Sequence, residues 1–84
     1  MTLHYWLASN IEPSMRFDGH TAERQPDGSH IISAQFRQRE WFYAVSTLLR
    51  YGQYCRVIEP TALANEMQQI AHDMAMLYDS PPQP

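Results

Sequence analysis

The sequence predicts an α+β domain in which helices cover one face of a four-stranded antiparallel sheet. Three observations predict it. A run with a two-residue apolar period opens the chain, and another follows a Pro26-Asp27-Gly28 turn. Two longer runs, Arg39 to Tyr51 and Ala62 to Tyr78, space their apolar residues three and four apart instead. The two kinds of run alternate in the order β-α-β-β-α-β-α.

Each element has its own reason. Leu3, Tyr5 and Leu7 alternate with His4, Trp6 and Ala8, so Thr2 to Ala8 reads as a strand. Ser9 or Asn10 can cap a short helix with Glu12 and Pro13 in its first turn, running through Met15 to about Phe17 and ended by Gly19. Thr21 to Gln25 and Ser29 to Arg37 read as a hairpin. Proline presets its dihedral in the turn, aspartate caps locally and glycine accepts a positive φ. In the second strand Ile32, Ala34 and Phe36 share one face and are expected in the core. In the helix from Arg39 to Tyr51, Phe42, Val45 and Leu49, with Trp41 and Leu48 beside them, form the expected apolar face. Arg50 and Gly52 favour its end. Arg56 to Ile58 is a short strand stopped by Pro60. In the last helix Leu63, Met67, Ile70, Met74 and Leu77 step by four, three, four and three, which is a narrow stripe. The first six elements match the ferredoxin-like βαββαβ sandwich, and the seventh is an additional C-terminal helix. Residues 1–78 are expected to form this domain, with 79–84 a disordered, proline-rich tail.

Composition excludes several function classes. The chain has 84 residues, 44% of them apolar and 18% charged, which suits one small globular domain. A net charge of −3 argues against a stand-alone binder of duplex nucleic acid. A single cysteine, Cys55, allows no internal disulfide and points to a reducing cytoplasm. No apolar run approaches the ~18 residues that span a bilayer, and the N-terminus lacks the features of a signal peptide.

The second half carries a family resemblance. A helix ending Leu-Leu-Arg-Tyr-Gly, a strand Val-Ile-Glu-Pro and a leucine-led helix ending Leu-Tyr follow one another at Leu48 to Tyr78. In order and spacing these resemble the WCX domain, the C-terminal extension of WYL proteins. The Asp27-Gly28 hairpin and its alternating strand are also similar. The resemblance covers Leu3 to Tyr78 and is strongest from Leu48 to Leu63. It implies a non-enzymatic module of a bacterial transcriptional regulator, without a cofactor, that contributes to a homodimer and to effector sensing. In such proteins an N-terminal winged helix-turn-helix and a central WYL barrel precede the WCX domain. The implied partners are the WYL domain of the same chain and an effector of nucleic-acid or nucleotide type. Operator DNA is contacted only through the N-terminal domain. Relatives act in DNA-damage responses and as regulators of phage defence islands. This chain contains neither a helix-turn-helix nor a WYL barrel, so it is expected to be a domain of a longer protein.

The candidate site residues come from the residues themselves. All six basic residues are arginine, which suits bidentate contact with carboxylate or phosphate, or merely reflects coding bias. Arg37 and Arg39, where a strand meets a helix, and Arg16 are the effector-binding candidates. The alternative for each is a solvated arginine paired with Glu40 or Glu23. Trp41, Tyr43, Tyr51 and Tyr54 are the interface candidates. Successive helix residues point roughly 100° apart, so Trp41-Phe42-Tyr43 cannot all face one core. No two of His4, His20, His30 and His72 stand in metal-ligand spacing with each other or with Cys55, so no metal is expected. Cys55 and Ser46 lack the surroundings of nucleophiles. Two other function classes stay open: a ferredoxin-like small-molecule-binding module, and a small dimeric enzyme seeded by His4.

Overall fold

The computed structural model describes residues 1–13 and 17–79. Its strands are β1 (Thr2–Leu7), β2 (Asp18–Arg24), β3 (His30–Gln35) and β4 (Cys55–Glu59); its helices are α1 (Trp41–Leu49) and α2 (Thr61–Asp79). The strands form one sheet in the order β2-β3-β1-β4, and every neighbouring pair is antiparallel. This is the ferredoxin-like strand order, with an additional C-terminal helix as the sequence predicts.

The core lies on one face of the sheet. Leu3, Tyr5 and Leu7 of β1 point into it, because side chains alternate along a strand. Register places Tyr5 between Ile32 of β3 and Val57 of β4, and Leu3 opposite Ala34. Helix α1 adds Ala44, Val45 and Leu48 to this layer, and α2 adds Leu63. Burying each leucine-sized side chain contributes about 1.5–3 kcal/mol. Tyr5 is the centre of the layer, with its ring stacked on Tyr51 and edge-on to Phe17, both at 6.5 Å. Ile32, Ala34 and Phe36 are buried as their alternation requires.

Three local expectations are corrected. The first concerns α1. A three-residue 3-10 turn, Gln38–Glu40, precedes it, so the α-helical face is set from Trp41. Ala44, Val45, Thr47 and Leu48 are buried, whereas Phe42 is 81% exposed and Leu49 lies at the margin. The three-four spacing fits two overlapping stripes, and the stripe with the small residue Ala44 allows the helix to sit closer to the sheet. The second concerns Gly19. It does not end a helix but sits in β2 with φ 64°, inside an irregularity between Asp18 and Thr21. A left-handed glycine is what such a bulge favours. The third is the helix expected from about Asn10. Its second half falls on residues 14–16, outside the described residues, and Ser9 to Pro13 contain a turn instead, with the Ile11 N–H donating to the Ala8 carbonyl at 3.1 Å.

The Pro26-Asp27-Gly28 turn is built as expected. The Gly28 N–H donates to the Gln25 carbonyl at 2.9 Å, and Gly28 takes φ 90°. The Asp27 carboxylate accepts from the Ser29 hydroxyl at 2.6 Å and from the Ser29 N–H at 2.9 Å. These hydrogen bonds hold the Asp27 carboxyl below its ordinary range, the hydroxyl most and the N–H next. A carboxyl whose folded pKa is depressed stabilises the fold above its unfolded value, near pH 4, and loses that contribution as pH falls through the folded value. Asp27→Ala is therefore expected to be less stable at neutral pH and to converge on the parent in strong acid, as read by urea midpoints across the acid range.

Helix α2 packs along β4 and α1 only through its first half. Leu63 is fully buried, and Ala64, Met67 and Ile70 are half-buried against the core. From Ala71 onward every described residue is exposed. The Trp41 indole N–H donates to the Glu66 carboxylate at 3.2 Å and ties the two helices together.

Candidate effector and interface surfaces

The arginine candidates fall on different ground. Arg37 and Arg39 are both exposed and stand on the one turn between β3 and α1. The turn is held by its own backbone. The Arg37 N–H donates to the Glu40 carboxylate at 3.0 Å, and the Glu40 N–H donates to the Arg37 carbonyl at 2.8 Å. Glu40 thus serves the turn, and among the described residues neither arginine side chain has an ion pair. Arg16 lies outside the described residues.

The four interface candidates divide into two pairs. Trp41 is half-buried, with its ring 5.9 Å from Phe36 and its N–H on Glu66. Tyr51 is half-buried on Tyr5. These two rings look inward. Tyr43 is exposed along one edge while its ring meets Phe17 at 5.7 Å, and Tyr54 is likewise exposed. The most exposed large apolar residues are others: Phe42, Leu77 and Tyr78, at 81%, 76% and 86%. The Trp-Phe-Tyr run signalled that one ring must face outward but not which. The α2 stripe gave no sign that its second half would extend past the domain that buries the first.

A hollow of about 820 Å³ opens where α2 runs beside β4 and the 3-10 turn Gly52–Tyr54. Leu49, Cys55, Val57, Ala64, Met67 and Met74 form its apolar walls, and Gln53, Arg56 and Gln68 are its polar groups. A second hollow of about 790 Å³ adjoins it on the outer face of the sheet, beside Trp6, Ile31 and Ile58. Arg56 lines both. Arg37, Arg39 and His4 line neither. His4 instead stands 3.5 Å from the Glu59 carboxylate across the β1–β4 pair.

Burial raises the Cys55 thiol to about 12, because the ionised form is desolvated where it sits. A raised thiol pKa stabilises the fold below the unfolded value, and this contribution is lost as pH climbs from near 9 toward 12. At pH 8 the native thiol is expected to resist iodoacetamide and to react at once in urea, by mass spectrometry. Two histidine nitrogens, His20 Nε2 and His30 Nδ1, are buried without a hydrogen-bond partner among the described residues. His30 pairs with Arg24, four residues along β2 from His20, so the two stand roughly 13 Å apart and cannot share a metal. Among the described residues no three His, Cys, Asp or Glu groups cluster to hold one. No helix among them is long and apolar enough to cross a membrane.

Comparison of the chain with curated proteins and with solved structures gives no significant match. Comparison with protein families matches the WCX domain over residues 3–75. That span takes in β1 from Leu3, the other three strands, α1 and most of α2, and agrees with the resemblance carried by the Leu-Leu-Arg-Tyr-Gly and Val-Ile-Glu-Pro segments. On that match the chain belongs to the WCX domain family, the C-terminal regulatory extension found in WYL-type regulators.

Proposed function

We propose that this WCX domain serves its regulator in two ways, by contributing to homodimerisation and by taking part in effector sensing in the cytoplasm. The observation that carries the first part is the exposed apolar surface of Phe42, Tyr43, Tyr54, Leu77 and Tyr78. Aromatic rings of this kind are enriched at interfaces, and an 84-residue domain gains nothing in solubility by showing them to water. For the second part, Arg37 and Arg39 offer two cations on one exposed turn, suited to a phosphate-bearing effector of nucleic-acid or nucleotide type. The WYL barrel supplies the other wall of that site, and binding shifts the dimer. Operator DNA is met only by the N-terminal domain of the parent protein.

Size-exclusion chromatography with light scattering, run across protein concentration, tests the dimer. A dimer at micromolar concentration is expected. A monomer throughout, together with unchanged operator binding by a parent protein lacking this domain, overturns the reading. The enzymatic alternative draws no support from His4, which faces Glu59 across the β1–β4 pair and lines neither of the two hollows. The small-molecule alternative has one observation in its favour, the hollow beside α2.

A further inference from the structure

We infer that the hollow between α2, β4 and the Gly52–Tyr54 turn is a binding site for a small amphipathic organic anion, an apolar chain or ring ending in a carboxylate or similar group. Its volume, about 820 Å³, lies in the range of small-ligand sites. Its walls are apolar, and two of them, Met67 and Met74, are unbranched thioethers that reshape around varied ligands. Ala64 and Ala71 keep the α2 side shallow, so a chain can lie along the helix.

Charge selects the ligand. Among the described residues Arg56 is the only charged one that lines the hollow, and Gln53 and Gln68 are neutral. No carboxylate among them lines it, although the chain as a whole carries −3. The Arg56 side chain makes no ion pair or hydrogen bond among the described residues; the Glu59 carboxylate on the same strand stands beside His4. A free guanidinium at the rim of an apolar hollow is complementary to an anionic head on an apolar body. The Cys55 thiol, held neutral by its burial, adds no opposing charge.

This assignment goes beyond the effector reading, because it names a site apart from Arg37 and Arg39 and a different ligand class. The test therefore reads binding alone, with the full chain labelled at its methionine methyl groups and octanoate, octanol and octylamine as probes. Octanoate is expected to shift the Met67 and Met74 methyl signals saturably, and octanol to bind about tenfold more weakly, the effect of one charge-assisted contact. Arg56→Gln, an exposed change, is expected to keep the methyl spectrum and to erase the difference between octanoate and octanol. Three results overturn the assignment: shifts that never saturate or spread equally to Met1 and Met76; octanoate binding unchanged in Arg56→Gln; or a Met67 signal that moves on diluting the protein alone, which places a second copy in the hollow. Failure here leaves the dimer reading intact, and a monomeric chain that still binds octanoate leaves this one intact.

Discussion

Leu63→Ala is expected to remove about 3.5 kcal/mol of unfolding free energy, the middle of the range for truncating a fully buried leucine. A chain of 84 residues has about 4–12 kcal/mol in total at typical stability per residue. The substitution therefore takes a large share of it. The size of the effect follows from position. Leu63 is the one fully buried side chain of α2 and enters the same layer as Leu3, Tyr5 and Val57. The first turn of α2 is fixed by backbone bonds from Leu63 and Ala64 to the Pro60 carbonyl, both at 3.0 Å. Cutting the side chain leaves a cavity that a helix so anchored closes poorly. The control lies on the same stripe two residues from the helix end. Leu77 is 76% exposed, and Leu77→Ala is expected to change stability by less than about 0.5 kcal/mol. Urea unfolding followed by circular dichroism checks both. Equal costs at the two positions would mean that the whole stripe is buried in the isolated domain.

That contrast marks what the sequence does and does not disclose. Leu63, Met67, Ile70, Met74 and Leu77 form one unbroken period, so periodicity alone assigns all five to one environment. Burial divides them after Ile70, because a 19-residue helix is about 28 Å long and only its first half has a sheet edge and α1 to lie on. Strand faces were legible for the opposite reason. A two-residue period admits only two choices, and Leu3, Tyr5, Leu7, Ile32 and Ala34 leave one of them apolar. The turn at Asp27 was legible because its chemistry is local, confined to Gln25 through Ser29. The hollow was not legible. Its lining joins Leu49, Arg56, Met67 and Met74 from three elements, and Arg56 stands out only once its neighbours are known to leave it unpaired. The arginines singled out from the sequence, Arg37 and Arg39, sit on a turn whose carboxylate is already engaged by the backbone, a contact that spacing cannot reveal.

Phe42→Glu combined with Leu77→Glu is expected to weaken the proposed dimer by about a thousandfold while leaving the monomer fold unchanged. Both side chains are more than three-quarters exposed, so neither substitution removes core contacts. In a two-fold symmetric dimer each change appears on both sides of the interface. Losing about 2 kcal/mol at each of two copies, a hot-spot-sized effect, gives about 4 kcal/mol, which is close to three orders of magnitude in Kd. The introduced carboxylates add repulsion, since α2 already carries Glu66, Asp73 and Asp79 and no lysine or arginine. Light scattering across concentration reads the change, and an unchanged thermal midpoint of the dilute protein separates lost association from lost folding. Should the double variant remain as dimeric as the parent, the contacts would have to lie on the Tyr43 and Tyr54 side of the exposed surface. The same experiment on those two tyrosines would then place them, and the free end of α2 would be left for the WYL barrel.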